Sequence, residues 1–318
     1  MIERKIGEDA SGQRRDKYLR RVLKDVPLSH VYKLLRTKKV RVNGARGHAE
    51  DLLKGGDVVT IRGDEEQLLA ARPESERKPA RAKEPLKVLY EDDYLMAIDK
   101  PAGMAVHPGS GIEGGTVVDE VRAMLGPHAV HNEFAPSPAH RLDRDTSGVL
   151  LVAKRRPAMV RLTEIFTAGT ARKRYLALAK GRFAEGRGTI DLPLSEHEQT
   201  AKSRAAHGVK LQPAVTHWKV LAAGPNVSLL ECTIETGRTH QIRRHLVAVG
   251  HPVAGDRRHG DFPFNRELKA KFGLKRMFLH ARSMEIEHPI TGKKLYLEAK
   301  LPPELADALK RMGIAEPA

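Results

Sequence analysis

Asp143 stands between Arg141 and Arg144 in the stretch HRLDRDTSG, and Asp145 follows two residues later. A carboxylate set among cations stays ionised, because nearby positive charge favours the charged form. Such a group suits a nucleophile or a base better than a resting proton donor. In an extended segment Arg141, Asp143 and Asp145 share one face, and Leu142 and Arg144 the other. A turn would break that alternation. On these residues alone, a salt-bridged surface loop is the competing reading.

Two further stretches supply matching groups. RKRYLALA places Arg172, Arg174 and Leu176 on one strand face, and Lys173, Tyr175 and Ala177 on the other. TGRTHQIRRHL sets Arg238, Thr239, His240 and Gln241 at a strand-to-helix junction. Arg243 follows in the first helical turns, where folding needs no bulky cation. Guanidinium forks match phosphate oxygens, and the amides of a helix start can also meet a phosphate.

Other chemistries lack their residues. His128 and His131 are three apart without a third ligand, and no HExxH occurs, so zinc catalysis is unsupported. A single cysteine, Cys232, excludes disulfide scaffolds and multi-cysteine zinc sites and fits a reducing compartment. There is no GxSxG elbow and no P-loop lysine pattern. GSGIEG places Gly109, Gly111 and Gly114 as G-x-G-x-x-G, but no clean strand precedes it and no acid closes a second strand. It reads as a tight loop over a site, with dinucleotide binding ranked low.

The elements that must position these groups follow from the rest of the chain. Its 318 residues suggest roughly two domains. No apolar run approaches the roughly 18 residues of a membrane span, and the charged start is no signal peptide. The net charge of +16 points to a polyanion, chiefly nucleic acid. Residues 14–46 hold twelve Lys or Arg against two acids. Tyr18, Leu19, Val22 and Leu23 recur at helix spacing, and Val31, Leu34 and Leu35 form a second stripe with Ser29 as its N-cap. KVRVNG reads as strand and turn, and DVVTI as another strand. The cations, among them Arg14, Arg15, Arg36, Lys38, Lys39 and Arg41, fall between the apolar positions on a solvent-facing surface that can contact phosphates. Residues 63–85, rich in charge, Pro and Ala, read as a linker. After them come two strands about an acidic turn in LKVLYEDDYLMAIDK, a helix in TVVDEVRAML, a strand in GVLLVAK and a helix in RRPAMVRLTEIFTAG. Hairpins follow in HWKVLAAGPNVSLLECTI and FLHARSMEIEHPITGKKLYLEAK. The fold class is α+β, with a mixed, mainly antiparallel central sheet and flanking helices.

HRLDRDTSG, RKRYLALA and ETGRTHQIRRHLVAVGHPVAGD resemble, in order, the three signature regions of the RluA-type pseudouridine synthases, and the KPAGMAVHPG loop fits with them. Residues 14–62 resemble an S4-type RNA-binding domain, through a helix pair followed by VRVNG and GDVV. GDRRHGD and FLHARSMEIEHP lean towards the RluC-like large-subunit rRNA enzymes of that family. The resemblance implies an S4-like domain at 1–62, the linker, and a synthase domain at 86–318 that isomerises uridine in 23S ribosomal RNA or its precursor. It makes Asp143 the catalytic aspartate, Tyr175 the ring against the target base, and Arg243 the partner of the aspartate. Arg141 would enter the space left by the flipped nucleotide, and His140 would support the loop. Lys173, Arg238 and His240 would contact RNA, and Leu246 would wall the uracil pocket. Arg244 and His259 depart from the family, where an apolar residue and a tyrosine are usual. Nothing is added or lost in the isomerisation, so no cofactor or metal is expected. A cytoplasmic monomer without a guide RNA is expected too. The alternatives are another rRNA site, a tRNA, or a noncatalytic rRNA-binding or assembly protein.

Overall fold

The structure, a computed structural model, describes residues 2–23, 26, 28–62, 85–108, 114–126, 134–195 and 211–317. Most of the expected linker lies outside the described residues, as do Gly109, Gly111, His128 and His131.

Among the described residues, β1 (Ile2–Lys5), a 3-10 helix (Glu8–Ala10), α1 (Arg15–Val22), α2 (Leu28–Arg36), β2 (Val40–Val42) and β3 (Val58–Ile61) precede the linker. The strands pair antiparallel in the order β1-β3-β2. Tyr18 and Leu19 from α1, Val31 and Leu34 from α2, and Val59 and Ile61 from β3 form their own core. Asn43 and Gly44 both take positive φ, as a two-residue hairpin turn requires, and Val42 and Ala45 exchange backbone bonds across it. Two expectations change here. Helix α2 starts at Leu28, so Ser29 lies inside it and is not its N-cap. Arg15 is only 6% exposed and reaches Asp51 at 3.4 Å, so it is an internal ion pair and not a phosphate contact. Arg14 is half-buried and donates to Asp16. Arg36, Lys38 and Lys39 are exposed, and Arg41 is half-buried.

The rest of the chain builds β4 (Lys87–Glu91), β5 (Leu95–Lys100), α3 (Val117–Leu125), β6 (Ser137–Pro138), β7 (Ser147–Ala153), α4 (Arg156–Thr167), β8 (Arg172–Lys180) and β9 (Arg187–Asp191). It continues with β10 (Leu194–Ser195), β11 (Leu211–Gln212), β12 (Val215–Gly224), β13 (Val227–Ile234), α5 (Gln241–Ala248), α6 (Phe262–Phe272), β14 (Leu279–Glu287), β15 (Lys294–Glu298) and α7 (Pro303–Arg311). One sheet runs β4-β5-β7-β14-β8-β13-β12-β9, with β15 beside β14 and β6 beside β7. Its described pairs are antiparallel apart from β7 with β14. This is the mixed, mainly antiparallel sheet that the hairpin turns implied.

Side-chain alternation splits the core across this sheet. Tyr175, Ala177 and Ala179 of β8 face one cluster with Leu150, Cys232 and Leu246. Leu176 and Leu178 face another, covered by Phe264 and Leu268 of α6 and Leu305 and Leu309 of α7. Leu151 and Ala153 meet Ala158, Leu162 and Ile165 of α4. The parallel contact pairs Ser147 with His280 and Gly148 with Ala281, directly after the acidic loop. A Cβ on Gly148 would lie 2.2 Å from the Ala281 carbonyl oxygen, and its φ is +113°. Only glycine lets β14 come this close, so the glycine fixes where the loop before it emerges.

Candidate active site

The acidic loop ends in a turn. Thr146 N–H donates to the Asp143 carbonyl at 3.1 Å, so the extended alternation stops at Asp143. Leu142 is buried, while Arg141, Arg144 and Asp145 are exposed. The turn is pinned from the β5 side. Lys100, fully buried, donates through Nζ to the carbonyls of Pro101, Met104 and Arg144 at 2.8, 2.9 and 3.0 Å. Burial draws Lys100 down to about 7, against the pull of Asp145 and Asp143. Gly103 and Arg144 exchange two more bonds.

Arg243, in the first turn of α5, is the hub. Its Nη1 donates to Asp143 Oδ2 at 3.0 Å. Its Nε and Nη2 clamp the two oxygens of Asp256 at 2.7 and 2.8 Å. The Asp256 side chain is 1% exposed, and its Oδ1 also accepts the amides of Arg258 and His259. Burial works against the Arg243 charge, yet Asp256 and Asp143 carry it above its ordinary value. Burial also works against ionised Asp256, but Arg243 and the two amides bring it below the usual carboxylate range. Fork geometry explains why arginine serves here: three N–H groups reach two carboxylates at once.

A cavity of about 510 Å³ opens over this network, lined by Asp143, Tyr175, Arg141, Lys173, His240 and Arg243 among others. Tyr175 is 7% exposed, and burial, with the Asp143 charge, raises its phenol well above the usual range. It is a neutral ring at ordinary pH. His240 brings Nε2 to 3.8 Å from Asp143 Oδ1. His140 accepts the Leu151 N–H through Nε2 and lies 4.9 Å from the Phe166 ring. Burial, then Lys173, draws it to about 3, so it is a neutral support of the loop. Lys173 is buried, which lowers its pKa, and its Nζ lies 6.0 Å from the Phe166 ring centroid. Arg238 is half-buried at the cavity and donates to the Pro213 carbonyl. Leu246 does not line the cavity. It is fully buried in the core, and the apolar lining comes instead from Leu142, Ile234, Ile242 and Leu279.

The profile of the family described as RNA pseudouridylate synthase matches residues 94–248. The chain is 39% identical over 312 residues to "Ribosomal large subunit pseudouridine synthase C" of Vibrio cholerae, covering 96% of this chain and 95% of that one. It is 40% identical to the protein of the same name from Escherichia coli K12, with the same coverage. The solved human RNA pseudouridylate synthase domain containing 4 superposes with a TM-score of 0.60 at 25% identity, covering 73% of this chain and 95% of that one. This chain belongs to the RNA pseudouridylate synthase family. It is an RNA-acting isomerase.

Three positioning groups of this pseudouridine synthase are not legible in the local sequence. Asp256 ends the third signature, where a carboxylate after Ala-Gly looks like an ordinary turn cap. Lys100 opens the KPAG loop, and nothing local tells a buried ammonium from a surface one. Gln241 is placed by its sequence only at the junction. Its Oε1 accepts from Thr236 Oγ1 and the Arg238 amide, and its Nε2 donates to the Val215 carbonyl and Thr216 Oγ1. Those bonds fix the loop that delivers His240. Among the described residues no group of three His, Cys, Asp or Glu could hold a metal, and no helix is long and apolar enough to cross a membrane.

Proposed function

We propose that this synthase isomerises uridine in large-subunit ribosomal RNA, with Asp143 as the carboxylate that meets the ribose of an extruded nucleotide. The relatives named for that RNA support the target. The observation that carries the chemistry is the Asp143–Arg243–Asp256 chain in a cavity lined by Tyr175.

The bond from C1′ to N1 breaks, the uracil turns, and C1′ joins C5. C5 loses its proton and N1 gains one, so the product is an isomer. A salt-bridged carboxylate at this place serves attack at C1′, attack on the base, or removal of a ribose proton. Tyr175 offers a flat apolar face that restrains the base while letting it turn. The target nucleotide must leave its stack, at a cost of a few kcal/mol. Exposed Arg141, at the cavity mouth, stacks and hydrogen-bonds in the gap it leaves. Lys173, Arg238 and His240 border the same cavity as RNA contacts.

Residues 1–62 act as an S4-like module that adds phosphate contacts through Arg36, Lys38 and Lys39, with 63–85 as linker and 86–318 as the synthase domain. The protein works in the cytoplasm as a monomer and without a guide RNA, reading folded RNA directly. The test is a map of pseudouridine in ribosomal and transfer RNA from cells with the gene, without it, and with D143N alone. We expect one or more large-subunit positions to vanish in the second and stay absent in the third. D143N protein should still bind the RNA. Restoration of those positions by D143N would overturn the role of Asp143, and loss confined to tRNA would overturn the target.

A further inference from the structure

Arg243 holds one oxygen of Asp143, and His240 approaches the other. The second approach leads to a residue with no role so far. His240 Nδ1 lies 3.0 Å from His259 Nε2, and the two rings meet nearly edge to face at 71°. We propose that His259 is a positioning residue for the isomerisation: it fixes the tautomer of His240 so that an N–H faces Asp143 Oδ1.

A neutral imidazole has one N–H donor and one bare acceptor nitrogen. Which nitrogen carries the hydrogen is set by the partner of the other. A carboxylate oxygen opposite Nε2 favours the hydrogen there. Nδ1 is then an acceptor, and the 3.0 Å contact requires His259 to donate from Nε2. Without that donor, the Nε2–H form loses the described partner of its bare Nδ1, and its margin over the other tautomer narrows.

The surroundings keep both rings neutral. Among the described residues, the charged groups around the pair are Asp143 from the loop before β7, Arg243 from α5, Arg141, and Asp256 and Arg258 from the turn after Val253, which itself bridges to β8. Burial, set against Asp143, lowers His240, and burial with Arg243 draws His259 to about 4. The backbone holds the rings in register. His240 takes a left-handed conformation, φ 53° and ψ 31°, at the entrance to α5. The His259 amide is tied to Asp256 Oδ1. At Gly260 a Cβ would lie 2.2 Å from the Asp256 carbonyl oxygen, so the loop is pressed against the residue that holds Arg243. One loop thus steers both oxygens of Asp143, through Asp256 and Arg243 on one side and through His259 and His240 on the other.

The inference rests on Asp143 being the reacting carboxylate, and the test separates the two. Ring ¹⁵N shifts of His240 are read by NMR in the full-length protein and in H259F and H259Q. Single-turnover rates and apparent affinity are measured on unmodified large-subunit rRNA transcribed in vitro. We expect wild-type His240 to be protonated at Nε2. H259F should mix the tautomers and slow the single-turnover step about tenfold with affinity unchanged. H259Q, whose amide can donate from the same place, should restore both readouts. Protonation of wild-type His240 at Nδ1 overturns the proposal. So does a wild-type rate in H259F, or H259Q as impaired as H259F, which would mark a packing role. Activity in D143N would instead sink the functional reading, leaving the tautomer assignment to stand or fall on its spectrum.

Discussion

Replacing Asp256 by Asn isolates what holds Asp143, the carboxylate proposed to react, because Asp256 is no part of the cavity lining and is 1% exposed. In D256N the side-chain oxygen keeps the Arg258 and His259 amides and one guanidinium contact. The new NH₂ then stands where Oδ2 accepted Arg243 Nε at 2.7 Å, donor against donor. One charge-assisted bond disappears, and a buried cation keeps Asp143 as its single anion. Breaking a buried pair costs about 3–5 kcal/mol, and the surviving Asp143 contact puts this case near about 3 kcal/mol. At about 2–4 °C per kcal/mol, Tm should fall by about 6–12 °C. Freed from its clamp, Arg243 swings towards Asp143, and a misplacement of about 1 Å costs roughly 100-fold in rate. RNA affinity should change little.

The pH dependence gives a second check. Folded Asp256 lies below the ordinary carboxylate value of 3.8. A depressed group contributes fully above the unfolded pKa and loses its contribution as pH falls through the folded one. The Tm gap between wild type and D256N should therefore be level from about pH 8 to about pH 5 and shrink below about pH 4. Thermal unfolding by circular dichroism reads the gap, and tritium release from C5-labelled uridine in RNA reads the rate. A D256N enzyme with wild-type Tm and rate at pH 7 would refute the clamp. A gap that fails to close in acid would show that the loss is not one of ionic pairing.

K100M removes three hydrogen bonds to buried-side carbonyls, so about 1 kcal/mol each, roughly 3 kcal/mol in all, should disappear from the stability measured by urea unfolding. Its rate should fall as the Arg144 turn relaxes, and unchanged stability would show that the ammonium is not the pin. The double change K38A/K39A should weaken RNA binding and lower the slope of log K against log salt by about 1 for each phosphate no longer neutralised. An unchanged slope in filter binding would remove the pair from the RNA face. D143N should release no tritium above background while binding RNA within about threefold of wild type, since the amide keeps the shape of the side chain and most RNA affinity comes from phosphate contacts elsewhere.

How much of this was legible depended on whether the deciding contact was local. Period-two alternation in RKRYLALA puts Tyr175 and Leu176 on opposite faces, because successive side chains of a strand point opposite ways whatever covers them. The helix and hairpin signals around Gly224–Asn226 and Gly250 hold in the same way. Arg15 was misplaced because its partner, Asp51, is distant in sequence. The Arg141–Asp145 alternation failed because the turn is enforced from Lys100 and Gly103, over forty positions earlier. Leu246 sits at i+3 from Arg243, which puts both on one helical side. One turn further along, however, that side has passed from the cavity into the core. Helices α6 and α7 and strand β9 were not foreseen at all. The burial of all three depends on partners that the local sequence does not contain.

The division of the guanidinium bears on the reacting role proposed for the ion-paired Asp143. A bidentate Arg–Asp pair fills both oxygens of the acid and spends its basicity on the pair. Here Arg243 gives its fork to Asp256 and a single N–H to Asp143. The fork stays on Asp256, and Asp143 is aimed through Oδ2 by one bond. Among the described residues, Oδ1 meets His240 at 3.8 Å, beyond hydrogen-bond length, and opens on the cavity that Tyr175 lines. Holding the fork on buried Asp256 is thus what leaves one oxygen of half-buried Asp143 turned to the cavity. Removing Arg243 would cost more than removing either acid, since it would leave two carboxylates facing each other with no cation between them.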